Sequence, residues 1–132
     1  MKKVIFKGAA TALVTPMSED GSVNYKRLKT LVNEQIDAGI DALVICGTTG
    51  EKSTLRYDEH VKVIEEAVNA AAKRVPIIAG TGSNHTVYSV ELCEDAEKAG
   101  ADAFLMTTPY PFCPYLSWQP SMARCQSDTC FR

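Results

Sequence analysis

The chain has 132 residues, with 14 Lys and Arg against 16 Asp and Glu and a formal net charge of −2 at neutral pH. At 45% hydrophobic and 23% charged residues it has the composition of an ordinary globular domain, which excludes collagen-like, low-complexity and repeat-array classes. No apolar run nears the roughly 18 residues of a spanning helix, Met1–Lys7 lacks the apolar core of a secretory signal, and the balanced charge has no basic stripe, so neither membrane nor nucleic acid is an expected partner.

Five cysteines (Cys46, Cys93, Cys113, Cys125, Cys130) are an odd number without CxxC spacing, which reads as reduced thiols in the cytoplasm with no metal site. From residue 8 to residue 110 short β-branched runs alternate with longer amphipathic stretches, the pattern of βα units on a parallel sheet. The first strand is expected over Gly8–Val14. A helix follows, with Leu28, Leu31, Val32 and Ile36 on one face and Gly39 at its stop. Ala42–Cys46 reads as the second strand. The next helix carries Val61, Ile64, Val68 and Ala71 at i, i+3, i+7 and i+10. Pro76–Gly80 reads as the third strand, and a third helix from a Thr86 N-cap presents Leu92, Ala96 and Ala99 and stops at Gly100. The fourth strand is expected over Ala103–Met106. These strands are apolar throughout, as strands covered on both faces are. Ala38-Gly39-Ile40-Asp41-Ala42-Leu43 is echoed 61 residues later by Ala99-Gly100-Ala101-Asp102-Ala103-Phe104, about two βα units on.

Every strand is followed by hydroxyls or glycines: Thr15-Pro16, Gly47-Thr48-Thr49-Gly50, Thr81-Gly82 and Thr107-Thr108-Pro109-Tyr110. In parallel α/β folds this rim is the ligand face. Gly47-Thr48-Thr49-Gly50-Glu51-Lys52-Ser53 is not a phosphate loop, because Glu51 stands where a glycine must precede the lysine. Gly80-Thr81-Gly82-Ser83-Asn84-His85 lacks the last glycine of a dinucleotide fingerprint. The first of these loops suits a carboxylate or oxyanion: two adjacent hydroxyls between glycines, with backbone N–H groups free near a helix start. No lysine falls in a strand, where burial could prepare it for Schiff-base formation. His60, beside Glu59, reads as a solvated or packed side chain.

Val, Ile, Gly and Lys supply 35 of the first 110 residues and none of the last 22, where three prolines interrupt any period. The chain is therefore divided into a domain over 1–110 and an off-pattern tail over 111–132, expected to be disordered or foreign to the domain.

Gly8-Ala9-Ala10-Thr11-Ala12-Leu13-Val14-Thr15-Pro16, Cys46-Gly47-Thr48-Thr49-Gly50-Glu51, Ile78-Ala79-Gly80-Thr81-Gly82-Ser83-Asn84 and Thr108-Pro109-Tyr110 together resemble the 4-hydroxy-tetrahydrodipicolinate synthase family, also called dihydrodipicolinate synthase. The threonine at the second loop position favours it over N-acetylneuraminate lyase, which usually has serine there. The resemblance implies the N-terminal half of a (β/α)8 TIM barrel, truncated after about four βα units. It also implies a lyase of lysine and diaminopimelate synthesis, condensing pyruvate with aspartate semialdehyde through a lysine Schiff base. By the same resemblance the complete enzyme is expected to be a homo-oligomer, dimer or tetramer, with no cofactor. By motif, Thr49 resembles the pyruvate-carboxylate residue and Thr48 the threonine of a proton relay between two tyrosines. The Schiff-base lysine and both relay tyrosines are absent, Pro109-Tyr110-Pro111-Phe112 replacing Pro-Tyr-Tyr-Asn, so this chain is expected to be inactive as it stands.

The family's effector site maps to Lys52, Ser53, Tyr57, His60, Asn84, Tyr88 and Tyr110. Lys52 stands where a small hydroxyl is usual and Tyr88 where a glutamate pairs with the effector's ammonium, so the complete enzyme is expected to resist lysine. The alternatives are a small doubly wound α/β domain binding a carboxylate or phosphate, another pyruvate-dependent aldolase of the same superfamily, or a fragment with no ligand.

Overall fold

A computed structural model describes residues 4–106. Four parallel strands, β1 (Ala10–Ala12), β2 (Ala42–Ile45), β3 (Ile77–Gly80) and β4 (Ala103–Leu105), alternate with three helices, α1 (Tyr25–Asp37), α2 (Tyr57–Ala71) and α3 (Thr86–Ala99). The sheet order is β1-β2-β3-β4. A doubly wound sheet reverses its order at a switch point, whereas this one advances by one strand per unit, as the wall of a (β/α)8 barrel does. The architecture is the N-terminal part of such a barrel. The expected domain boundary at residue 110 and the tail beyond it lie outside the described residues.

Each helix begins where a side chain can take up a free backbone N–H. The Asn24 carboxamide oxygen accepts from Arg27 N at 2.9 Å ahead of α1, and Glu59 reaches back to Arg56 N at 3.1 Å ahead of α2. For α3 the expected cap was Thr86, but the structure uses the residue before it: His85 Nδ1 accepts from Tyr88 N at 3.1 Å. An imidazole nitrogen can stand where an Asn or Asp oxygen usually does. Gly100 closes α3 in the left-handed region at φ 94° and Gly39 follows α1 at φ 89°, as the glycine positions suggested.

The strands are shorter than the apolar runs implied. Gly8 sits at φ 117°, outside strand geometry, and Leu13 makes one further ladder bond, to Val44 O at 2.9 Å, before the chain turns away. The register sets Leu43 against Ile77, Ile45 against Ala79, and Ala79 against Phe104. Leu43, Ile45, Ile77 and Ala79 are buried with Leu28 and Val32 of α1 and Val63, Ile64, Ala67 and Ala71 of α2, so the core lies between sheet and helices. The opposite face, Ala12, Val44, Ile78 and Ala103, is only half covered or exposed.

The internal repeat has a structural counterpart. Asp41 Oδ2 accepts from Ala9 N at 2.8 Å, and Asp102 Oδ2 accepts from Ile77 N at 2.9 Å. Each aspartate, one residue before its own strand, secures the entry of the preceding strand, where a backbone N–H would otherwise lack a partner.

Candidate functional site

At the C-terminal ends of β2 and β3 the chain makes a tight loop over Cys46–Lys52. Glu51 N donates to Thr48 O at 3.0 Å and Lys52 N to Gly47 O at 3.4 Å, making Thr49 and Gly50 the middle of a β-turn. Cys46 and Glu51 flank it at φ 54° and 55°, a left-handed conformation costly for residues with a Cβ. The loop is packed from below by β3: a Cβ on Gly80 would lie 2.1 Å from Cys46 O, so only glycine lets the two strand ends approach this closely. Thr48 and Thr49 project as exposed residues, adjacent hydroxyls on a rim.

The other rim threonines separate into two kinds. Thr15 and Thr81 are buried, at 4% and 0% exposure. Thr15 Oγ1 donates to Gly50 O at 2.7 Å, and Thr81 Oγ1 accepts from the Cys93 thiol at 3.1 Å. These two hydroxyls are turned inward onto protein partners, which leaves Thr48 and Thr49 as the reachable pair among the described residues. Thr107, Thr108 and Tyr110 lie outside those residues.

A second feature is a cleft of about 330 Å³ between the start of α2 and the start of α3, where Lys52, Ser53, His60, Asn84 and Tyr88 come together. These are five of the seven positions named from the resemblance as an effector site. Tyr57 stands beside the cleft, its ring edge-on to Tyr88 at 5.3 Å between centroids and its hydroxyl donating to Asp95 Oδ2 at 2.7 Å. His85 also lines the cleft. The sequence reading missed it, although it stands next to Asn84.

Burial sets the electrostatics here. His60 is 1% exposed, its Nε2–H donates to Gly80 O at 2.9 Å, and burial lowers its pKa, so the ring is a neutral core group and the solvated alternative is excluded. Its Nδ1 is buried without a hydrogen-bond partner among the described residues. Lys52 Nζ donates to Gly82 O at 2.6 Å, and burial lowers its pKa as well. Cys46 is no nucleophile, since burial pushes its thiol up to about 12. Tyr57 is raised by burial and by its bond to Asp95, while Asp95 is lowered by its bonds from Lys98 and Tyr57. Among the described residues no three His, Cys, Asp or Glu side chains are grouped to hold a metal, and no helix is long and apolar enough to cross a membrane.

The model of the dihydrodipicolinate synthetase family matches residues 5–116. The chain is 54% identical over 110 residues to a 4-hydroxy-tetrahydrodipicolinate synthase of Acetivibrio thermocellus, covering 83% of this chain and 37% of that protein. It is 51% identical over 106 residues to one of Neisseria gonorrhoeae, covering 80% and 36%. Among solved structures it resembles the chloride-inhibited dihydrodipicolinate synthase of Acinetobacter baumannii complexed with pyruvate, at a TM-score of 0.78 and 50% identity over 81% of this chain and 36% of that one. It also resembles the Cyanidioschyzon merolae enzyme with lysine bound, at 0.85 and 31% identity over 95% and 43%. The chain thus spans little more than a third of the curated relatives it matches. With the family model covering most of its length, and the sequential βα sheet those structures share, the chain belongs to the dihydrodipicolinate synthetase family.

Proposed function

We propose that these residues supply the pyruvate-carboxylate rim of a 4-hydroxy-tetrahydrodipicolinate synthase, a lyase that condenses pyruvate with aspartate semialdehyde through a lysine Schiff base in lysine and diaminopimelate synthesis. The observation that carries this reading is the exposed Thr48-Thr49 turn at the strand ends of a chain of this family. Thr49 binds the carboxylate and Thr48 relays protons. In this reading the Schiff-base lysine comes from outside the described residues, among which Lys26, Lys29, Lys62 and Lys98 stand on helices and Lys7, Lys52 and Lys73 lie outside strands, so none of these amines is held in a strand facing the barrel interior. The complete enzyme works in the cytoplasm as a homo-oligomer. Its effector cleft, with Lys52 bonded inside it and no carboxylate among its described lining residues, disfavours a basic amino acid.

The test is a hybrid joining residues 1–106 to the rest of the barrel of the Acetivibrio thermocellus relative. The hybrid should condense the two substrates. Thr49→Val should raise KM for pyruvate, because its hydroxyl serves ground and transition states alike, and Thr48→Val should mainly lower kcat. Effects within about twofold for both variants would return the turn to a merely structural role.

A further inference from the structure

The peptide unit between Gly50 and Glu51 is gripped at both ends. Its N–H donates to Thr48 O at 3.0 Å, closing the turn, and its carbonyl accepts from Thr15 Oγ1 at 2.7 Å. Thr15 lies 35 residues away in sequence, just beyond β1, and is 4% exposed. Its own placement is secured by Leu13 N, which donates to Val44 O at 2.9 Å and so carries the β1–β2 ladder one residue past β1. Gly50 is pressed against the same segment: a Cβ there would stand 3.0 Å from Leu13 O. The end of β1 is thus both the floor of the turn and the donor that fixes its peptide plane.

We propose that Thr15 is a positioning residue for pyruvate binding, setting the Thr48-Thr49 hydroxyls by clamping the Gly50 carbonyl. It touches no substrate, and its effect passes through one peptide plane. That plane needs a clamp because Cys46 and Glu51, on either side of the turn, are held in the left-handed region, which non-glycine residues leave when released. Without the Thr15 hydroxyl the buried Gly50 carbonyl loses its donor, and the peptide rotates toward another partner, carrying Thr49 with it. Valine keeps the shape of threonine and removes the donor, while serine keeps the donor. The proposal rests on the carboxylate role given to Thr49 above.

Deuterium uptake of the 132-residue chain and its variants, with and without pyruvate, reads the clamp and the binding together. In Thr15→Val the 47–52 segment should exchange about tenfold faster, the effect of one lost buried hydrogen bond, with exchange over α3 unchanged. The protection that pyruvate confers on 47–52 should require about tenfold more ligand, and Thr15→Ser should restore both. Faster exchange over α3 as well would mark general destabilisation and overturn the proposal. So would unchanged uptake at 47–52, pyruvate affinity within twofold of the parent, failure of serine to rescue, or uniformly rapid exchange in the parent chain. A parent that exchanges slowly but is not protected by pyruvate would instead sink the carboxylate reading, and with it any role for Thr15 beyond holding the turn.

Discussion

The Nε2–H of His60 donates to the carbonyl of Gly80 across 2.9 Å, tying the first turn of α2 to the last residue of β3 beneath the Thr48-Thr49 turn. The same Gly80 approaches Cys46 so closely that no side chain fits. One buried ring and one missing Cβ therefore meet at the point where the rim loop leaves the sheet, and each is open to test.

Protonating His60 should weaken the fold. Burial lowers its pKa from the ordinary value near 6.5, so as pH falls the unfolded chain takes up the proton first. The contribution of the neutral ring is whole above about 6.5 and is lost as pH drops through that value toward the lower folded pKa. Between pH 7 and pH 5 the chain should lose more stability than His60→Gln does, measured by urea unfolding. Parallel pH profiles would contradict a neutral, buried His60.

Gly80→Ala should destabilise by roughly 3 kcal/mol, since its Cβ would overlap backbone rather than a side chain able to move. Gly47→Ala is the internal control. Its Cβ would meet only Val44 Cγ1, at an ordinary 3.5 Å, and should cost no more than roughly 1 kcal/mol. Equal denaturation midpoints for the two variants would refute the close approach.

The two repeat aspartates should behave alike but unequally. Asp102→Ala strands the partly buried Ile77 N–H and should cost about 1–2 kcal/mol, whereas Asp41→Ala frees an exposed N–H of Ala9 and should cost less. Amide exchange at Ile77 and at Ala9, each compared with the parent, reports the effects separately.

Pyruvate and borohydride together should leave the mass of this chain unchanged, because a stable adduct needs an amine poised in the barrel interior. Reduction that adds one pyruvyl group to a single lysine would disprove the absence of the Schiff-base residue.

Self-association should follow from the two outer strands. β1 and β4 each have one strand neighbour among the described residues, and Val14 and Leu105 near their ends are 50% and 46% exposed. Unpaired edges beside uncovered apolar side chains are templates for pairing, and a closed barrel has none. Light scattering after size exclusion should show dimers or larger species. A monodisperse monomer with one cooperative urea transition would count against this.

The helices and strands were legible because their signals are local. Leu28 and Val32, Ile64 and Ala71, and Leu92 and Ala96 recur at helical spacing, and all are buried. The apolar runs located all four strands to within a few residues, and the rim threonines could be read as a set because each follows a strand. Local pattern was thus enough to read the order of βα units, the family and the loop on which a carboxylate site could be built. Tertiary structure alone decided which of those threonines face solvent. Thr15 and Thr48 look alike in sequence, and they differ because the Gly50 carbonyl, 35 residues from Thr15, happens to accept its hydroxyl. His60 became a core residue by meeting a strand end 20 residues away, and the repeated aspartates gained their role by reaching 32 and 25 residues back. Periodicity reports which face of an element is apolar, but it carries no information about which distant backbone group a polar side chain will find. That pairing exists only once the sheet has aligned the strand ends.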